Sequence, residues 1–362
     1  MDQKITPVVD TFLEIVQIDS PTGHEEKMTE YVQKRLTALG LNPITDVEGN
    51  VYAHLEGDSN MEPIFLNAHL DTVTPGNGVK PTLGEDGWIR ADGTTVLGAD
   101  NKTAVAGILE SAQKLIDSSV PHRPIDIFFT VSEEGNSHGA IGFNYDLLKS
   151  KKGYAFDITD KKFGTIFISA PFYNRLLINL SGKSGHAKSP EEAINVLPVF
   201  IKAMSQLPLG RFSPNTVVNI GTINGGTAAN AIPGQLSLVG EVRSSIEEEL
   251  ENVTQEYKTK FESSSKDSGV KVKFEALREN PGYKIDSNDS FLQETISLLK
   301  KFGVEPTMED SFGCADANFF ATHGLTTLNI SDGTLASHTT EERVNINNLN
   351  KLVDLIFFLA TN

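Results

Sequence analysis

The residues able to do chemistry in this 362-residue chain stand at the ends of apolar runs. Ile64-Phe65-Leu66 leads into Ala68-His69-Leu70-Asp71, an imidazole and a carboxylate two positions apart. In an extended chain such residues share a side. A carboxylate that accepts the second N–H of an imidazole fixes its tautomer and raises its basicity, which metal ligation by His requires. Ile125 to Val131 runs into Ser132-Glu133-Glu134-Gly135, and Tyr154-Ala155-Phe156 runs into Asp157. Leu97-Gly98-Ala99-Asp100 opens a stretch of helical periodicity, and His338 lies in Ala336-Ser337-His338-Thr339-Thr340-Glu341. Each has a plain reading alone: a surface His-x-Asp pair, a helix-capping Asp, solvated acids. Taken together, His69, Asp71, Asp100, Glu133, Glu134, Asp157 and His338 offer imidazole and carboxylate donors suited to borderline cations such as zinc or cobalt. If two ions are to be held, one carboxylate should bridge them. A bridged pair lowers the pKa of a shared water and polarises a carbonyl, and the reaction served is amide hydrolysis.

Such donors must be delivered by elements that end at one place. Val8, Phe12, Ile15 and Val16 fall on one helical face, and Met28, Tyr31, Val32, Leu36 and Leu39 repeat the pattern before Gly40. Strands are expected at 50–55, 64–68, 88–91 and 125–131, with a helix after Asp100 whose apolar face is Ala104, Val105, Ile108, Leu109, Ala112 and Leu115. A strand followed by an acid or His recurs, in alternation with helices, as in an α/β fold with its site along one sheet edge. From Tyr173 the pattern changes to strand 176–180, helix 190–207, strands 217–223 and 236–242, helix 246–261 and strand 270–274. That β-α-β-β-α-β order is the ferredoxin-like split arrangement of a compact inserted domain. After Pro281 the alternation resumes with helix 291–302, a helix around 317–322, strand 326–330 and a closing helix from Ile346. The expected division is 1–172 with 282–362 as one domain and 173–281 as the insertion.

Composition narrows the function classes. With 31 Lys+Arg against 48 Asp+Glu the net charge of −17 has the wrong sign for a nucleic-acid partner. One cysteine, Cys314, rules out an intrachain disulfide framework and suits the cytoplasm, and the N-terminus lacks a basic region followed by an apolar core. Leu355 to Ala360 is far shorter than the ~20 apolar residues of a membrane span, so no membrane association is expected. Gly221-Thr222-Ile223-Asn224-Gly225-Gly226 has neither the glycine spacing of a dinucleotide turn nor a following P-loop Lys.

Six motifs carry a resemblance over essentially the whole chain: Asn67-Ala68-His69-Leu70-Asp71-Thr72-Val73, Leu97-Gly98-Ala99-Asp100-Asn101-Lys102, Thr130-Val131-Ser132-Glu133-Glu134-Gly135, Phe156-Asp157, Gly185-His186-Ala187, and Gly225-Gly226-Thr227-Ala228-Ala229-Asn230-Ala231-Ile232-Pro233. The chain resembles the co-catalytic di-zinc metallopeptidases that include peptidase T, carboxypeptidase G, succinyl-diaminopimelate desuccinylase and the aminoacylases. Asp92-Gly93-Thr94-Thr95 and Gly313-Cys314-Ala315-Asp316-Ala317-Asn318-Phe319 are similar to the peptidase T subgroup. The resemblance implies an α/β catalytic domain, with a mixed central sheet flanked by helices, and an inserted α+β lid and dimerisation domain. It implies two zinc ions per chain, with cobalt or manganese as substitutes. His69 and Asp157 would hold one, Glu134 and His338 the other, and Asp100 would bridge. Asp71 would back His69 and Glu133 would be the general base. His186 would stabilise the oxyanion, reaching the site from a partner subunit in dimeric members. Asn230, Arg243, Asp316 and Asn318 are the substrate-binding candidates; the plain alternative for Arg243 is a strand-end ion pair. His24, His54, His122, His138 and His323 are read as surface or hydrogen-bonded histidines. The expected activity is exopeptidase cleavage of short peptides, as in tripeptide aminopeptidases. Its competitors are an N-acyl amino acid deacylase or carboxypeptidase on the same fold, and a non-catalytic metal- or peptide-binding protein.

Overall fold

Near-continuous apolar runs such as Ile64-Phe65-Leu66 and Ile125-Asp126-Ile127-Phe128-Phe129 suit strands covered on both faces, and strands Ile64–His69 and Ile125–Thr130 are buried throughout. The computed structural model describes residues 5–362. The chain divides into two compact units, residues 1–168, 285–311 and 315–362 forming one and 169–284 with 312–314 the other. In the first unit the sheet runs in the order Val51–Leu55, Ile125–Thr130, Ile64–His69, Lys152–Ile158, Thr326–Ser331, Thr165–Ala170. The four inner strands are mutually parallel and the two outer ones antiparallel to their neighbours, a mixed sheet. The parallel strands therefore end together. Strand Ile64–His69 is flanked by strands that leave it in opposite directions, which makes its carboxyl end the switch point where such sheets hold ligands.

Helices cover this sheet. Pro7–Ile15, Ala99–Ser118 and Ile346–Thr361 pack on one another, and the last is capped by Asn345, whose side chain accepts the Asn347 N–H. A second cluster gathers Phe65, Phe128, Phe143 and Phe320, with Phe128 stacked on Phe143 at 4.9 Å between ring centres. Strand Thr165–Ala170 lies in a stretch left unassigned by sequence pattern. Strand Trp88–Arg90 ends well before Asp100; the segment between them is irregular, and Asp100 (φ −83°, ψ 102°) and Asn101 (φ −120°, ψ 27°) depart from helical geometry inside Ala99–Ser118. Asp100 caps nothing, so its helix-capping reading fails.

The second unit has the antiparallel strand order Thr216–Gly225, Gln235–Ser244, Phe172–Ser181, Lys271–Asn280, with helices Leu197–Met204 and Glu247–Ser265. Its core alternates along the strands, Leu176, Ile178 and Leu180 meeting Val199, Leu250, Val253 and Tyr257. The expected 190–207 helix is broken. Pro190–Glu192 is a single 3₁₀ turn, and Ile194 exchanges two backbone hydrogen bonds with Lys183. Helix begins only at Leu197, whose N–H goes to the Asn195 side chain. A local strand-like pairing has outbid helical periodicity there. Among the described residues no helix is long and apolar enough to cross a membrane.

Gly153 sets how closely strands Ile64–His69 and Lys152–Ile158 approach. A Cβ there would sit 2.2 Å from the Phe65 carbonyl oxygen and 2.4 Å from its ring, so only glycine fits. Gly153→Ala is expected to lower stability by about 1–3 kcal/mol, read as a shift of the urea midpoint at unchanged slope; an unchanged midpoint would show that the strands separate without cost.

Candidate metal centre

Asp71 is fully buried just past strand Ile64–His69. Its Oδ1 accepts the Glu133 N–H at 2.9 Å, and its Oδ2 accepts the Glu134 N–H at 3.1 Å and the Thr22 hydroxyl at 2.9 Å. The His69 Nδ1 lies 3.0 Å from the Asp71 backbone carbonyl and 3.3 Å from its Oδ1. Main chain and carboxylate of Asp71 thus both back His69, while the carboxylate also clamps the paired glutamates. One residue earlier, Glu25 Oε1 accepts the N–H of Ser132 at 3.0 Å and its hydroxyl at 2.8 Å. Ser132 has φ +53°, a backbone state that costs about 1–3 kcal/mol for a non-glycine residue and persists only where neighbours enforce it. Three successive amides, at 132, 133 and 134, are therefore held by two buried acids.

Around this frame the side chains converge. His69 Nε2 lies 3.1 Å from Asp100 Oδ1 and 3.5 Å from Asp157 Oδ1. His338 Nε2 lies 3.3 Å from Asp100 Oδ2 and 2.6 Å from Glu134 Oε1. Asp100 thus turns one oxygen to each imidazole. Three groups place donor atoms within 4.8 Å of one another: His69, Asp100 and Asp157; His69, Glu133 and Glu134; Asp100, Glu134 and His338.

The electrostatics call for a cation. Because His69 Nδ1 gives its hydrogen to the Asp71 carbonyl, a neutral ring would aim the Nε2 lone pair at the Asp100 oxygen, two acceptors face to face. A proton or a metal ion must lie between them. Burial opposes charge on His69, yet hydrogen bonding to Asp100, Asp157 and Asp71 outweighs it and holds the ring well above the ordinary imidazole range. Hydrogen bonds to Asp100 and Glu134 push His338 up to about 10. Burial pushes Asp157 up to about 7, helped by Asp100 and Asp316 nearby. Burial raises Asp100 too, but hydrogen bonds from His338 and His69 overcome it and leave its carboxyl below the usual range. Imidazole and carboxylate donors in this packing fit divalent cations of the zinc type. Glu133 differs: burial, then Asp157, Asp316 and Glu134, drive its carboxyl well above the ordinary value, as suits a proton carrier.

Asp316 is buried and accepts the Thr130 hydroxyl, and Asn318 is fully buried with its carbonyl on the Ala315 N–H at the start of its own helix. Neither side chain is open to a substrate. In the second unit His186 is exposed on a two-residue strand, and Asn230 accepts the Ala187 N–H through its backbone carbonyl. Arg243 makes the strand-end ion pair, with Glu241 at 3.3 Å, and lies over the Tyr173 ring at 4.7 Å. His54, His122, His138 and His323 are engaged by Asp126, the Arg123 carbonyl, Glu48 and the Tyr145 ring. Sequence reasoning missed Glu25 and Glu342. The latter's carboxylate accepts the N–H groups of Gly98 and Asp100. Glu342 has one sequence signal, its place four positions past His338, and Glu25 stands near none of the ligand motifs.

Comparison with known proteins agrees with this geometry. Residues 65–362 match peptidase family M20/M25/M40. The Bacillus subtilis protein YqjE is 33% identical over 358 residues, 96% of each chain. The aminopeptidase PepT of Bacillus cereus superposes with a TM-score of 0.93 at 33% identity, covering 98% of this chain and 97% of its own. A Staphylococcus aureus tripeptidase gives 0.92 at 31% identity over 98% and 97%. The chain belongs to peptidase family M20/M25/M40, hydrolases of peptide bonds.

Proposed function

We propose that the protein is a zinc-dependent aminopeptidase of short peptides, tripeptides among them. The observation that carries this reading is the Asp100 carboxylate turned toward both imidazoles, 3.1 Å from His69 and 3.3 Å from His338. His69 and Asp157 would hold one ion, Glu134 and His338 the other, with Asp100 shared. Zinc held by these residues would supply Lewis acidity, making the attacking water a stronger acid and polarising the scissile carbonyl. Glu133, clamped by its amide and high in proton affinity, takes the proton from the attacking water and passes it to the leaving amine. Glu134 is committed to His338 and cannot share that task. The Bacillus cereus and Staphylococcus aureus structures support the choice of peptide substrate, and a single cysteine supports placement in the cytoplasm.

Metal loading is expected to give about two equivalents per chain, and Asp100→Ala to weaken both positions; elemental analysis after dialysis decides, and a single ion retained at full activity sinks the two-cation reading.

Glu133→Gln should keep both ions and lose about 10²–10⁴ in kcat, whereas Glu134→Gln should lose an ion. Metal content and turnover measured side by side would expose a reversed assignment.

Unblocked tripeptides should be cleaved in preference to N-acetyl amino acids. A panel assay of released amino acids checks this, and robust turnover of acylated amino acids without tripeptide cleavage would make the protein a deacylase.

A further inference from the structure

The loop that carries His338 is closed on itself. Leu335 and Arg343 exchange two backbone hydrogen bonds at 3.0 Å, and the Glu342 N–H goes to the Thr339 carbonyl. Glu342, four positions beyond His338, is 1% exposed although its neighbour Glu341 lies open to solvent. Its Oε2 accepts the Gly98 N–H at 2.6 Å, and its Oε1 accepts the Asp100 N–H at 2.9 Å. Those amides belong to an irregular segment, with Gly98 at φ +75° and Asp100 at ψ 102°, outside the regular helical hydrogen-bond ladder. One closed loop therefore grips Asp100 twice: Glu342 holds its amide, and His338 Nε2 stands 3.3 Å from its Oδ2.

We propose that Glu342 is a positioning residue that sets the Asp100 carboxylate against both imidazoles, and so ties cation binding at the His69 side to binding at the His338 side. The proposal rests on the reading of Asp100 as a shared ligand. The chemistry asks for a carboxylate specifically. Two N–H groups converge on two acceptor oxygens, and glutamine would answer one of them while turning its own NH₂ toward the other. Aspartate keeps the charge and both acceptor oxygens but is one methylene shorter, so it holds them farther from the two amides. Groups that orient metal ligands from behind in this way typically change metal affinity or activity by about 10–100-fold when altered.

The test is calorimetric titration of the full-length apoprotein with Zn²⁺, alongside the visible spectrum of the Co²⁺-loaded protein, for wild type, E342Q, E342D and the exposed-neighbour control E341Q. Circular dichroism first establishes which variants are folded. The expected result is two equivalents for wild type and E341Q, with both binding steps weakened by about 10–100-fold in E342Q, a changed Co²⁺ spectrum, and kcat lowered more than KM is raised. A residue that merely stabilised the fold would shift the melting temperature and leave the Zn²⁺ affinities and Co²⁺ spectrum alone. Should E342Q not fold, E342D decides on the same readouts, with a smaller weakening expected. Two cations bound as tightly by the folded variants as by wild type would overturn this proposal alone. A wild-type chain that takes up one cation would overturn the shared-ligand reading and this proposal with it.

Discussion

The Asp71 carboxylate, taking the N–H groups of Glu133 and Glu134 on its two oxygens, is the constraint from which the rest of the centre follows. It ties the ends of two adjacent parallel strands, and it does so at the backbone. Pinning consecutive amides fixes the directions of consecutive Cα–Cβ bonds, so the two glutamates cannot exchange places. Hydrogen bonds to a charged acceptor are worth about 1.5–3 kcal/mol each, enough to hold the loop in one arrangement and to help keep Ser132 in its left-handed conformation. A buried carboxylate would otherwise be very costly. Burial does raise Asp71, but hydrogen bonds from His69, the Glu133 amide and Thr22 more than offset it and hold its carboxyl below the usual range.

The same economy explains why so many acids crowd one sheet edge. Asp100, Glu133, Glu134, Asp157 and Asp316 repel one another, and the raised carboxyls of Asp157 and Asp316, about 7 and about 6, record burial first and neighbouring charge second. Protons on His69 and His338 can stand where cations would. Cation binding at these donors is then also proton release, since imidazole and carboxylate must each give up a proton to coordinate. Charge that would destabilise an ordinary core is, on the proposed reading, what would favour a divalent ion here.

His69, Asp100, Glu133, Glu134 and Asp157 stand out in the sequence because each lies beside an apolar run or a helix start, and parallel strands must end on a common edge, whereas His338 lies beside neither and its role is implied by the family resemblance alone. The residues behind them do not stand out. Glu342 sits in Thr339-Thr340-Glu341-Glu342, where nothing separates the exposed acid from the buried one, because the partner of the buried one is a backbone amide 242 positions away. Glu25 is hidden likewise by a partner 107 positions distant. Asp316 and Asn318, substrate-binding candidates by resemblance, have buried side chains, Asp316 accepting from Thr130 and Asn318 from its own helix start. The β-α-β-β-α-β order of the second unit followed from periodicity. The break at Ala193 to Asn195 has two causes, the pairing of Ile194 with Lys183 and Pro198, which lacks the N–H that a helix continuing from Pro190 would need and stands instead in the first turn of Leu197–Met204.

The segment Gly98 to Lys102 shows how these constraints combine. It has no helical or strand ladder of its own at Asp100, so its conformation must be imposed from outside. Glu342 fixes its amides, the two imidazoles face its carboxylate, and the buried Lys102 Nζ donates to the Ile18 carbonyl at 2.7 Å. Burial brings Lys102 down to about 7. The anchors come from three parts of the chain: the loop after Pro7–Ile15, the end of strand Ile64–His69, and the one loop that carries both His338 and Glu342. An irregular backbone fixed from several directions can present a carboxylate edge-on to two ligand groups, which an Asp on a regular helix, with its own rotamer limits, would not do as well. The placing of the Asp100 carboxylate between the two imidazoles is thus a property of the whole first unit rather than of the Asp-Asn-Lys motif that marks it in the sequence.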